Sequence, residues 1–417
     1  MSAPPLSPNI TDGSLYADDG IPHERFAEIR DADGLLWHEY HDGGFWVVGR
    51  HADVKTVSKD GAVFSSAVGH TNLWDLEADA LEARRSLIDT DAPDHTRLRR
   101  LVARAFTPKN IRRWEDTVRQ ITVDLLEAYI AKGEGDFVEE IAAPLPIQVI
   151  LTMLGVPVED SGYLVELSNF LVEGTGESQS IPSDAFGNTT ELRLLPFNSP
   201  ASHALFEYGE QIGELRRNDP EDDLVTSLVQ AEAEGGDRLS GSEYRNLFHL
   251  LVFAGNETTR TSLSHGAIAL AENPDQWQRV LDDPAMIESA TEEVLRWSTP
   301  VLHMRRTTTE PVELGGTQLG AGEKVVMWYA SANRDDTVFD DPFRFDVGRT
   351  DNPHFSFGGG GPHLCLGAYL ARLEIQILLE EMASRNLHLT QLGDPVRAPS
   401  NFVHGVLSVD MAVEGRT

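Results

Sequence analysis

Downstream of about residue 96, apolar residues recur mostly at helical spacing. Ile121, Leu125, Leu126 and Tyr129 share one face of a 3.6-residue repeat, which predicts a helix within 111–129. The apolar run 147–154 reads as a buried helix ended by Gly155 and Pro157. Ser240-Gly241-Ser242-Glu243 has the spacing of a capping box. It opens a stretch reaching Glu272 that is hydrophobic nearly all round, as expected of a helix buried through the middle of a large domain. Further helices are predicted at 284–298 and after Gly367, where Leu370, Leu373, Ile377 and Leu378 line one face. Short strands are expected at 44–48, 312–314 and 324–328, the last two set around turns at Gly315-Gly316 and Ala321-Gly322. The span 167–202 reads as irregular, the signature of a lid or binding loop, and 335–361 as a second long irregular segment. The class is mainly α with a minor β part, the strands gathered at about 20–65 and 312–330.

Composition narrows the function. Of 417 residues 41% are hydrophobic, enough for a core, so wholesale disorder is excluded. No run of about 18 uncharged apolar residues offers a membrane span. The first twenty residues lack the basic and apolar regions of a secretory signal, and a soluble cytoplasmic protein is expected. A single cysteine excludes an internal disulfide and any multi-cysteine zinc or iron–sulfur site. The net charge of −33, from 67 acidic and 34 basic residues, argues against nucleic acid and anionic membrane as partners. Within that acidic chain Arg97, Arg99, Arg100, Arg104, Arg112 and Arg113 form a basic island. No heptad seam is present, and a monomer is expected.

Three local patterns carry chemistry. Cys365 stands in Phe357-Gly358-Gly359-Gly360-Gly361-Pro362-His363-Leu364-Cys365-Leu366-Gly367, just ahead of the last helix. Glycines allow backbone conformations and close approach that other residues resist, and free N–H groups at a helix start favour a metal-ligating thiolate. The alternative for a lone cysteine is a small buried hydrophobe. In the long helix, Ala254-Gly255-Asn256-Glu257-Thr258-Thr259 sets an acid and an alcohol among apolar flanks. That arrangement suits a proton relay beside a ligand, or else an internally satisfied kink. Glu293 and Arg296 have i, i+3 spacing, either a weak surface pair or part of a buried network completed by an arginine such as Arg334 or Arg349.

Taken in order, Ala254 to Thr259, Glu293-x-x-Arg296, Phe345-Asp346-x-x-Arg349 and the cysteine loop resemble the cytochrome P-450 superfamily of haem-thiolate monooxygenases, in the form of a bacterial, soluble, class I member, over nearly the whole chain as one domain, 1–417. The resemblance implies haem b held between the long central helix and the cysteine-loop helix, with Cys365 as axial thiolate, which favours O–O cleavage. It implies proton delivery by Glu257 and Thr258, and a structural role for Glu293, Arg296 and Arg349. It implies cofactor contacts from Ala254, Gly255, Phe357, His363 and Gly367, and propionate contacts from His95, Arg99, Arg306 and His354, since two buried carboxylates need polar partners. Phe357 precedes Cys365 by eight positions, one more than is usual; that longer form is familiar from actinobacterial members acting on sterols and methyl-branched lipids. Glu257 replaces the aspartate of many members.

The implied reaction inserts one oxygen atom from O2 into a C–H bond. Nothing in the chain resembles a flavin or iron–sulfur module, so electrons would come from NAD(P)H through an external ferredoxin reductase and a ferredoxin docking near the basic island. Expected pocket residues are Leu73, Trp74, Phe170, Leu171, Leu194, Leu195, Phe197, Val301, Leu302, Met304, Phe402 and Val403, a mostly apolar set that suits a lipophilic small molecule such as a sterol, terpenoid or branched lipid. The competing readings are a hydroxylase of polyketides or other secondary metabolites, a peroxide-using haem-thiolate enzyme, and a non-catalytic haem or lipid carrier.

Overall fold

The computed structural model describes residues 9–415 apart from 19, 41–42, 174–186, 188–189 and 233–235. Helices dominate it. The longest, Gly241–Glu272, has 32 residues, or about 48 Å at 1.5 Å per residue. It begins at the predicted capping box: Ser240 Oγ accepts from the Glu243 N–H, and Glu243 Oε2 accepts from the Ser240 N–H. Its side chains are mostly buried, because helices Pro144–Leu154, Pro200–Asn218, Ile287–Ser298 and Ala368–Ser384 pack around it.

A five-stranded sheet runs in the order Leu36–His38, Phe45–Val48, Lys324–Trp328, His303–Thr308, Phe64–Ser65. Phe45–Val48 is parallel to Lys324–Trp328, with Trp46 opposite Val325; the other pairs are antiparallel. Alternate residues of Lys324–Trp328 enter different cores. Val326 and Trp328 join Phe26, Phe45 and Val47, while Val325 and Met327 join Val48, Val54 and Leu319. Both faces are covered, which is why these strands read as apolar runs without alternation. A second sheet pairs Asp410–Gly415 with Glu134–Asp136 and Leu387–Gln391. No helix among the described residues is long and apolar enough to cross a membrane.

Helices Glu115–Lys132, Pro144–Leu154, Ile287–Ser298 and Ala368–Ser384, and strands Phe45–Val48, Val312–Leu314 and Lys324–Trp328, lie where the apolar pattern put them. Elsewhere the structure corrects it. The 20–65 region carries the helices His23–Asp31 and His51–Lys59, each too short for a clear periodicity. Strand His303–Thr308 lies outside the expected 312–330 and was hidden by its polar sequence; its Arg305, Arg306, Thr307 and Thr308 are buried. The irregular span 167–202 is shortened by helices Val158–Glu173 and Pro200–Asn218, and 174–186 and 188–189 lie outside the described residues. The strands after Leu387 escape sequence patterning because they are short and pair with distant partners.

Candidate active site

The cysteine loop is held from both ends. The Cys365 N–H donates to Phe357 O at 3.0 Å, and Gly367 forms the N-cap of helix Ala368–Ser384. Gly361 has a φ of +79°, and a side chain there would collide with the carbonyl of Ser58. The glycine run thus lets the loop lie against helix His51–Lys59. Burial pushes the Cys365 thiol above its ordinary value, opposed by the Gly367 N–H and by the Arg99 and Arg372 guanidiniums, all three of which favour the thiolate. The side chain is enclosed by protein yet keeps an accessible surface, so it opens onto an interior cleft.

A matching opening lies on the central helix, which packs against the helix that follows Cys365. Ala254 is exposed and Thr258 half-buried, whereas Val252, Phe253, Asn256 and Glu257 are buried. The helix runs unbroken through this motif, and the Thr258 hydroxyl donates to Ala254 O at 2.9 Å. Glu257 is 3% exposed, its Oε2 has no hydrogen-bond partner, and Arg260 lies 3.7 Å away. Burial raises its carboxyl above the usual range, with Arg260 opposing. Gly255 faces helix Pro144–Leu154, where a Cβ would meet Ile150 at 3.2 Å, so the glycine lets the two helices pack closely.

Beside the cysteine loop, His95, Arg99, Arg306 and His363 gather. The His95 and His363 rings are 4.1 Å apart, and Arg99 Nη2 donates to Leu364 O at 2.6 Å. Burial, with Arg306, His95 and Arg99 nearby, holds His363 far below its ordinary value, so it is neutral. Arg306 is 7% exposed and donates to Arg305 O, with no carboxylate paired to it among the described residues. His95 is buried with Nε2 unpartnered. Buried polar atoms left open in this way suit a group bearing two carboxylates, and one thiolate donor suits iron, so this donor set fits haem. His354 does not join the cluster. Its Nε2 contacts Glu292 at 3.1 Å and its Nδ1 accepts from the Ser356 N–H at 3.2 Å, leaving no nitrogen for a propionate. Phe357 packs beneath the Arg372 guanidinium at 4.4 Å.

The pair at Glu293 and Arg296 is fully buried and bidentate, at 2.8 and 2.7 Å. Arg349 Nε reaches Glu293 at 3.2 Å, and Arg296 donates onward to the carbonyls of Asn333, Pro342 and Arg344. The pair therefore pins the irregular segment that leads to the cysteine loop.

Of the expected pocket residues, Trp74, Phe170, Leu194, Phe197, Val301, Met304 and Phe402 are half-buried, as cleft-lining side chains are. Leu171 and Leu302 are 0% exposed and belong to packed cores, so they are corrected to core. Leu73, Leu195 and Val403 are likewise buried. Residues that sequence reasoning passed over include Ser66, whose Oγ lies 3.1 Å from His363 Nε2, and Tyr329, which faces Arg306. No local signal marks either, because their partners are remote in sequence. Glu374 was also missed. It did carry a signal, a lone carboxylate on the apolar face between Leu370 and Leu378.

Comparison with known proteins follows from this geometry. Residues 201–407 match the family model described as cytochrome P450. The steroid C26-monooxygenase of Mycolicibacterium smegmatis is 38% identical over 96% of this chain and 93% of its own length. The methyl-branched lipid omega-hydroxylase of Mycobacterium tuberculosis is 38% identical over 93% of this chain and 90% of its own. A Mycobacterium marinum cytochrome P450 solved in complex with pseudoionone superposes with a TM-score of 0.86 at 36% identity, covering 99% of this chain and all of that one.

Proposed function

The chain belongs to the cytochrome P450 family and is a monooxygenase that hydroxylates lipophilic molecules; on that premise we propose that its substrate is a sterol or a methyl-branched lipid, with electrons from NAD(P)H passed through a ferredoxin reductase and a ferredoxin. The observation that carries the reading is that the central helix, which bears the acid–alcohol pair Glu257 and Thr258, packs against the helix that begins just after the one sulfur donor, Cys365. The steroid and branched-lipid names of the relatives support the substrate class.

Bound haem supplies O2 activation and transfer of one oxygen atom to the C–H bond. The chain's own residues do the rest. Cys365 presents the ligand, with the Gly367 N–H and two guanidiniums favouring its anion. Arg99, Arg306, His95 and His363 would hold the propionates. Burial raises the Glu257 carboxyl above its ordinary value, which favours its proton-holding form, and half-buried Thr258 is the alcohol next to it on the helix. Half-buried Trp74, Phe170, Val301, Met304 and Phe402 exclude water and offer apolar surface to a lipid.

The test is the absorption spectrum of the reduced protein under carbon monoxide. A strongly red-shifted Soret band, lost in Cys365→His, is expected. Sterols and branched fatty acids should then displace the iron-bound water, seen as a shift of the resting spectrum, and 18O2 should label the product. A protein that gives no such band after expression with added haem, or that turns lipids over only with peroxide, would overturn the reading.

A further inference from the structure

Three loops expected to line the pocket are backed by one piece of chain, the arm 9–18, which ends in helix Gly13–Asp18. Side chains fix its shape. Asn9 Oδ1 lies 2.8 Å from His38 Nε2 and accepts from the Thr11 N–H at 3.0 Å, and the Tyr16 hydroxyl donates to Ile10 O at 2.9 Å. Ile10 and Tyr16 are buried and share one packed core with Leu73, Leu302 and Trp328. Each of these two leucines adjoins a half-buried residue expected on the pocket, Trp74 and Val301. The third loop is held by a hydrogen bond. Asn401 Nδ2 donates to Thr11 O, and a side chain at Gly13 would collide with the Pro399 carbonyl. The next residue along that turn is half-buried Phe402, whose carbonyl accepts from the Leu302 N–H at 2.9 Å, while Val403 pairs with Val301. Asn401 also approaches the buried His303 ring, which packs against Phe402 and Trp328 at centroid distances of 5.5 and 4.7 Å.

A pocket wall built from loops is positioned by what packs behind it, and packed interiors transmit displacement. An arm that only shielded the core would need the apolar contacts of Ile10 and Tyr16, but no hydrogen bond to the turn that carries Phe402. Position matters to the reaction as well. Misplacing a reacting group by about 1 Å can cost about a hundredfold in rate. A tertiary C–H bond is weaker than a primary one, so a loosely held branched chain end is oxidised at its branch carbon. Only a tightly held end is oxidised at its terminal methyl.

We propose that the arm 9–18, acting through Asn401, is a positioning element that sets which carbon of the lipid is oxidised. The inference rests on the substrate reading above. Asn401 works through its turn rather than on the substrate. Its bond to Thr11 O fixes the turn, and the turn fixes Phe402 against the loop of Val301 and Leu302. Leu73 and Leu302, packed into the same core as the arm, hold Trp74 and Val301 in step with it. Releasing the turn gives the chain end more room and moves oxidation from the terminal methyl to the branch carbon.

Two variants of the whole haem-loaded protein test it from opposite sides. Asn401→Asp keeps the shape of the side chain and removes the donor to Thr11 O. Gly13→Ala disturbs the same seat from the arm. The probe is cholesterol, whose side chain ends in methyls on a tertiary carbon. In each variant the ratio of branch-carbon to terminal-methyl alcohol should rise about fivefold, the worth of one hydrogen bond, with the carbon monoxide spectrum retained. A loss of stability alone would lower total product and leave that ratio as it was. Phenylimidazole and imidazole read the walls without turnover, since both bind haem iron and only the larger one reaches the surrounding side chains. The phenylimidazole dissociation constant should change about fivefold while that of imidazole stays. An unchanged product ratio, or two azole constants that move together, overturns the proposal. If one variant does not fold, the other decides. If the wild type makes no alcohol from cholesterol the sterol reading fails, and the azole pair still rules on the arm.

Discussion

Glu293 is a carboxylate with no solvent exposure, held by Arg296, Arg349, Asn352 Nδ2 at 3.1 Å and the Asp346 N–H at 2.9 Å. Removing one member of a buried pair strands the charge of the other. Glu293→Ala should therefore lose about 3–5 kcal/mol in urea unfolding; a loss under 1 kcal/mol would show that the backbone carbonyls alone satisfy Arg296. Glu374 has the opposite logic. Its folded pKa, about 8, lies above the ordinary 4.5. Between those values the unfolded chain releases a proton that the folded chain keeps, so stability falls as pH rises across that window. Glu374→Gln does not titrate. It should match the wild type near pH 4.5 and gain on it by several kcal/mol at pH 8, on the order of 4. Thermal melts at the two pH values check this, and equal differences at both would show that the carboxyl is not held neutral.

At the scale of elements, the cysteine loop depends on the helix it touches. Gly361→Ala would introduce a side chain at a φ of +79° and drive it into the Ser58 carbonyl. Strain and collision together should cost about 2 kcal/mol or more, read as a lower melting temperature and faster haem loss. Gly162 is the contrast. It lies inside helix Val158–Glu173 with nothing within 4 Å of its missing side chain. Gly162→Ala should stabilise by up to about 1 kcal/mol. If both substitutions behaved alike, the loop would not be braced by helix His51–Lys59.

Over the whole molecule, a net charge of −33 repels an acidic electron donor unless a local basic face receives it. The predicted island is reduced on folding: Arg97 pairs with Glu243 and Asp237, and Arg113 with Asp222. Arg100, Arg104 and Arg112 remain exposed on elements that reach the cysteine loop through Arg99 and its bond to Leu364 O. Arg104→Glu should slow reduction by a ferredoxin about tenfold at low salt and flatten the salt dependence of the rate, with the spectrum unchanged. Stopped-flow reduction at two ionic strengths measures it, and an unaltered rate would place the docking face elsewhere.

What the sequence determined was whatever is local and ordered along the chain: the long helix with its Ser240 cap, the terminators at Gly155, the helix after Gly367, and the order of the four motifs that mark the family. Helical periodicity and caps depend on neighbours within a few residues, so they can be read directly. Tertiary structure alone decided the rest. It took His354 from the propionate cluster by giving both its nitrogens to Glu292 and Ser356, and turned Gly255 toward Ile150. It withdrew Leu302 and Leu171 into packed cores, and left Glu374 buried with its oxygens unpaired. Each of these depends on which distant side chain arrives at a given face. Burial and hydrogen-bond partnership belong to pairs of residues far apart in the chain, and no single stretch of sequence encodes them.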